Sequence, residues 1–191
     1  MCRLLASSII PDVLDDFVPH FSLQLTYPAI HTTVSLGNEI PPSRVQEAPV
    51  FDFYPFTPSL TLGNACCNES YTLVLTDPDA KSHKNPIWSE MCHWIVTNVT
   101  SPELVEPGRP GELPVPAVLE PYLPPSPQAG TDWHRYVFVL MAGDKTQTEK
   151  LRAPKHRKHW GYGKVRHGVR DWAKEYGLQV LGANFFYARC E

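Results

Sequence analysis

Residues 71–99, YTLVLTDPDAKSHKNPIWSEMCHWIVTNV, decide how the rest of the chain is read. Tyr71–Thr76 is an unbroken run of β-type residues, and Trp94–Val99 is another; both read as buried strands. Asp77-Pro78-Asp79-Ala80 follows the first run. Its proline stops the ladder and encourages a turn that brings the two carboxylates together. His93 opens the second strand. Further on, Trp133-His134-Arg135-Tyr136 opens Tyr136–Met141, the most apolar strand of the chain, and Gly143-Asp144 ends it. In extended backbone His134 and Tyr136 share a face while Arg135 points the other way. If covered, the Arg135 guanidinium needs a carboxylate partner.

Outward from these segments, Phe21–Tyr27 and Val50–Tyr54 alternate apolar and polar residues, the period of half-buried strands. Thr33–Leu36 reads as a strand running into a Gly37-Asn38 turn. Ser8–Phe17 suggests a short helix after Pro11. Lys164–Tyr176 has helical spacing, with Gly177 as its stop, and 178–187 returns to β character. Residues 101–130 are rich in Pro and Gly and show no period, so a long surface loop is expected. The 20 prolines argue for short elements joined by stiff loops. Strands without regular helical crossovers imply antiparallel pairing. The expectation is one domain over 1–191: a mostly β sandwich, a large central sheet against a smaller one, flanked by a few helices.

A net charge of −3 gives no electrostatic reason to expect nucleic acid or an anionic membrane as the main partner. No apolar run approaches the roughly 20 residues of a membrane span. Pro11, Asp12, Asp15 and Asp16 interrupt the apolar start before a leader core forms, and five cysteines without a CxxC pair suit a reducing compartment. A cytoplasmic location is therefore expected, and the Asn68 and Asn98 glycosylation patterns are read as coincidences. Nine of the 17 Lys and Arg residues fall within 145–170, against the single acid Glu149. Charge runs usually solvate, so a solvated loop plus an outer helix face is the simpler reading. The alternative is a patch for phosphate, acidic protein or lipid headgroup.

Several chemistries suit the polar cluster. A metal site would use Asp and His, but no close ligand spacing is present, and no metal or cofactor is expected. Glycoside hydrolysis needs carboxylates about 5–10 Å apart across a cleft, which adjacency in a turn does not suggest. Cys92 and His93 are strand neighbours on opposite faces and cannot form a dyad. The residues could also satisfy one another as a buried network. An anion pocket uses all of them: His and Tyr donate, and a nearby Asp orients a His.

The run 71–99, with GTDWHRYVFVL at 130–140, resembles the phosphatidylethanolamine-binding protein family. IIPDVLDDFVPHFSL, SLGNEIPPSRVQEAPVFDF and the closing DWAKEYGL and GANFF segments extend the likeness over nearly the whole chain, and on the N-terminal side toward fungal members. The resemblance implies the two-sheet fold and a small anion cavity at Asp77, Asp79, His93, His134 and Tyr136. It also implies non-catalytic roles as inhibitor or scaffold of proteases or kinases, or phospholipid-headgroup binding. Some fungal members act in secondary metabolism that couples maleic-anhydride units. The first expectation is thus a binder of a small anionic organic molecule, an accessory or catalytic component of such a pathway. There a neutral His93 or His134 would give general-base help of ~10²–10⁴-fold. The family pattern D-P-D-A-P ends here in Lys81, and Ser126 and Gln128 replace a Gly and a Pro beside the cavity, so Lys81 and Ser126 join the expected ligand-binding set.

Overall fold

The structure, a computed structural model, describes residues 1–56, 69–100 and 115–191. Cys66, Cys67, Asn68 and the 101–114 part of the expected loop lie outside the described residues. The strands are β1 (Phe21–Tyr27), β2 (Thr32–Thr33), β3 (Asn38–Glu39), β4 (Val50–Pro55), β5 (Glu69–Asp77), β6 (Met91–Val99), β7 (Ala117–Glu120), β8 (His134–Asp144) and β9 (Gln179–Ala188). A three-stranded sheet has the order β2-β1-β4, and a six-stranded sheet the order β3-β9-β8-β5-β6-β7. Every pairing is antiparallel except β3 with β9. This is the expected sandwich of a large and a small sheet.

The burial of β8 explains its unbroken apolar run. Tyr136, Phe138 and Leu140 face the small sheet and pack with Leu23, Leu25 and Phe53. Val137, Val139 and Met141 face the other way, into a second core with Ile9, Leu14, Trp160 and Trp172. Each such fully buried side chain contributes roughly 1.5–3 kcal/mol. In β1, by contrast, Phe21, Leu23, Leu25 and Tyr27 are buried while Ser22 and Gln24 are exposed, so the alternation marks a strand covered on one face. The sheets approach closely at Gly182, where a Cβ would lie 2.7 Å from the Phe21 carbonyl oxygen. Asn184 locks the seam. Its amide donates to the carbonyls of Leu23 (2.9 Å) and Val34 (3.0 Å), and its oxygen accepts from the Leu36 N–H at 2.8 Å.

The helices are α1 (Cys2–Ala6), α2 (Ile9–Asp12), α3 (Lys145–Thr148) and α4 (Val169–Tyr176). Several sequence expectations change here. The first helical turns lie before Val13 and do not run on to Phe17. The strand expected at 33–36 is replaced by the two-residue β2 and β3, because Leu36 adopts positive φ and breaks any ladder. Helix α4 starts at Val169; Arg166 at φ 60° precludes a helix running from Lys164. The loop expected over 101–130 contains β7, which pairs with β6 at the sheet edge.

Candidate functional site

The two carboxylates after β5 part company. The Asp79 N–H donates to Asp77 Oδ1 at 2.7 Å, which closes the turn set up by Pro78. Asp77 Oδ2 then faces His134 Nδ1 at 2.8 Å, on the small-sheet side of β8. Asp79 goes to the opposite face. Its Oδ2 accepts from the Arg135 N–H (2.9 Å) and Nε (2.8 Å), and its Oδ1 from Arg135 Nη2 at 2.7 Å. This is the carboxylate that a covered Arg135 required. Burial opposes ionisation of Asp79, but the Arg135 hydrogen bonds and charge outweigh it and hold the carboxyl below its ordinary range. Arg135 also reaches the Ser7 carbonyl (2.8 Å) and Asp12 (2.9 Å), and Asp12 pairs with Arg166.

The remaining residues meet around a pocket of about 150 Å3 lined by Asp77, Lys81, Trp88, Met91, His93, Ser126, Gln128, His134 and Tyr136 among others. Asp79 is not part of that lining, so six of the seven expected ligand-binding residues converge and Asp79 supports them from behind. The Pro-rich segment after β7 forms one wall. It is tied to β6 by two hydrogen bonds: the Leu123 N–H donates to the His93 carbonyl, and His93 Nδ1 donates to the Leu123 carbonyl, both at 2.7 Å. The Ser126 backbone hydrogen-bonds the Tyr136 phenol.

Hydrogen-bond counting assigns the protons. The Thr131 hydroxyl donates to the Gln128 carbonyl at 2.7 Å, so toward His134 Nε2, 3.0 Å away, it can only accept. His134 Nδ1 faces the Asp77 carboxylate and donates as well. Both ring nitrogens therefore carry hydrogen, and His134 is an imidazolium. Burial opposes that charge, but the hydrogen bond and charge of Asp77 prevail, and the pKa of His134 stands above its ordinary value. His93 behaves oppositely. Burial drives its pKa down, against the pull of Asp77 and the Leu123 carbonyl, so the ring is neutral with hydrogen on Nδ1. Its Nε2 has no partner among the described residues. Burial, then the charge of Asp77, keeps the Tyr136 phenol protonated.

Lys81 stands exposed at the rim, its ammonium 5.7 Å from the Trp88 ring centre. The Asp77–His134 pair cancels, so Lys81 sets the net sign of the pocket as positive. The polar groups left for a ligand are the Tyr136 O–H, His93 Nε2, the Ser126 hydroxyl and the Lys81 ammonium. Cys92, next to His93, is buried in the core on the other face of the strand, with its thiol pushed up by burial. Among the described residues no His, Cys, Asp or Glu group is arranged to hold a metal ion.

Sequence reasoning missed Thr131, whose hydroxyl accepts from His134 Nε2, and Glu90, one residue before Met91. Glu90 is wholly buried. It accepts from the Gly168 N–H (2.9 Å) and lies 3.1 Å from Thr76 Oγ1. Burial, partly offset by the N–H groups of Gly168 and Val169, pushes its carboxyl up to about 7. Only the S/T-x-x spacing before an HRY-type segment could have flagged Thr131; nothing local marks Glu90.

A two-sheet sandwich carrying a small pocket between an Asp-Pro-Asp turn and a His-Arg-Tyr strand defines a class of β-rich fold. The profile of the family described as phosphatidylethanolamine-binding protein matches residues 30–186, and the chain belongs to that family. It is 34% identical to the carboxypeptidase Y inhibitor of Saccharomyces cerevisiae, over 94% of this chain and 90% of that one. It is 31% identical to the protein FLOWERING LOCUS T of Arabidopsis thaliana, over 96% of this chain and 88% of the other. Among solved structures, carboxypeptidase Y inhibitor complexed with its cognate proteinase superposes with a TM-score of 0.82 at 30% identity, covering 100% of this chain and 94% of that one. No helix among the described residues is long and apolar enough to cross a membrane.

Proposed function

We propose that this chain is a binding protein that captures an anionic group between Tyr136, His93 and Lys81, and that it acts on a protein partner as an inhibitor of a carboxypeptidase-type protease. The anion half of this reading is carried by the proton assignment in the pocket. The Tyr136 phenol and the Lys81 ammonium are left as donors, and His93 becomes one on taking up a proton from solvent. A carboxylate or phosphoryl oxygen satisfies these groups; an ammonium headgroup meets the repulsion of Lys81 first. The partner half is supported by the likeness, over nearly the full length of both chains, to a protein named for inhibiting carboxypeptidase Y. The metabolite-coupling role implied by the fungal resemblance gains nothing from the relatives named above and is set aside.

The test is a steady-state assay of carboxypeptidase Y with a synthetic peptide substrate. Inhibition that saturates at a one-to-one ratio is the expected result. Unchanged hydrolysis at a large excess of this chain would remove the protease from the proposal. Vesicles of phosphatidylethanolamine serve as the control for headgroup binding, and weak capture is expected.

A further inference from the structure

Met91 belongs to two cavities. On one side it lines the anion pocket; on the other it lines an open groove of about 610 Å3 formed by His156, Arg157, Lys158, His159, Gly161 and Gly163. The groove segment is laid along the start of β6. The Cys92 N–H donates to the Arg157 carbonyl at 2.8 Å, and the His159 N–H to the Trp88 carbonyl at 3.3 Å. Groove and pocket therefore share a wall and a strand end. A second link is Trp88, which lines the pocket, while the Lys158 ammonium of the groove sits 3.8 Å from its ring centre.

The charges sort themselves along this line. Within the basic run, Arg157 is committed to Glu120, Arg166 to Asp12 and Arg170 to Asp15. Lys155, Lys158 and Lys164 have no carboxylate partner among the described residues, and all three are exposed. On the opposite side of the pocket, across Gln128, the adjoining cleft is lined by three acids, Glu39, Asp132 and Glu191, against one cation, Arg189. An acidic chain leaving the pocket is thus repelled on the Gln128 side and attracted on the Met91 side. The groove lining includes Gly163, where a Cβ would meet nothing within 4 Å, so the lack of a side chain there leaves room for a backbone to lie.

We infer that the groove extends the anion pocket into a track for an acidic peptide segment of a partner protein. One carboxylate enters the pocket, and the following acidic residues pass over Met91 and Trp88 to Lys158 and His156. This rests on the pocket binding an anion, as proposed above. A concave groove with discrete cations fits an extended chain, in which each residue advances about 3.3 Å. A flat anionic bilayer would also meet the net charge of −3 of the whole chain.

The experiment uses the full chain, an N-acetylated octaglutamate peptide with a fluorescent label, and sulfate as the small-anion probe. The wild type is expected to bind the peptide at least about tenfold more tightly than sulfate, with an affinity that falls as salt screens it. The double variant His156→Glu with Lys158→Glu is expected to lose about tenfold or more in peptide affinity while its sulfate affinity changes by less than about threefold. Sulfate binding with a peptide that binds no tighter, or that ignores the groove variant, overturns the track and leaves the pocket standing. Absence of sulfate binding sinks both. Groove-dependent capture of phosphatidylserine vesicles without peptide binding replaces the peptide with a membrane and overturns the proposal.

Discussion

His93 and His134 flank the same Tyr136 ring in opposite protonation states. His93 meets it edge-on at 5.3 Å, and His134 lies stacked at 6.3 Å. Burial drives His93 down with a backbone carbonyl as its hydrogen-bond partner, whereas His134 has a carboxylate and a committed hydroxyl to hold its charge. An anion entering the pocket favours the charged form of His93, whose pKa in the free protein lies below the ordinary 6.5. Binding therefore takes up a proton. Sulfate affinity is expected to rise as pH falls toward that depressed value. Calorimetry in buffers of different ionisation enthalpy checks it, and pH-independent binding without proton uptake would contradict the assignment.

Tyr136→Phe removes the phenolic donor and keeps the ring between the two sheets. The fold is expected to persist, and sulfate affinity to fall about tenfold, the worth of a hydrogen bond to a charged group. Sulfate stabilises many proteins by exclusion from their surfaces. The informative measurement is thus the part of the melting-temperature rise that Tyr136→Phe abolishes. An identical rise in both proteins would mean the pocket is empty.

Asp79 is a structural acid. Its side chain is fully buried against a guanidinium that is itself only 3% exposed. Asp79→Ala leaves that buried charge with Asp12 as its remaining carboxylate partner, and a loss of about 3 kcal/mol on chemical denaturation is expected. Asp77→Asn acts differently, because it withdraws the charge that holds His134 protonated. The imidazole resonance of His134, followed by NMR, is then expected to titrate at lower pH than in the wild type.

Glu90 makes stability depend on pH. Its folded pKa of about 7 lies above the unfolded 4.5, so the group favours folding fully below 4.5, and stability falls as pH rises toward 7. The window amounts to about 3 kcal/mol. Proton counting agrees with a neutral acid: Thr76 Oγ1 lies 3.1 Å from both Glu90 and the Met91 carbonyl with one proton to give, and a protonated Glu90 relieves that competition by donating. His134 also loses stabilisation as pH rises through its raised pKa, whereas His93 loses it as pH falls below 6.5. Glu90→Gln is expected to flatten the decline between 4.5 and 7; an unaltered pH profile would place the titration elsewhere.

The unbroken runs of β5, β6 and β8 were legible because strands buried on both faces leave an apolar signature that nothing else in the chain copies. The need of Arg135 for a carboxylate was legible from strand alternation alone. Which carboxylate answered was not. Asp77 and Asp79 have the same chemistry, and only the turn closed by the Asp79 N–H sends them to opposite faces. Thr131 and Glu90 escaped notice because their partners, His134 with the Gln128 carbonyl and the Gly168 N–H, are set by loop geometry. β3 has two residues, too few for any period to show.

Arg135 binds the Ser7 carbonyl and Asp12 with the same guanidinium that anchors the Asp79 turn. The first dozen residues are thus the far abutment of the arch on which the pocket rests. Trimming them by proteolysis would strip this buried cation of partners on one side, loosen the turn that presents Asp77, and be felt as lost ligand capture at a place the cut never touched.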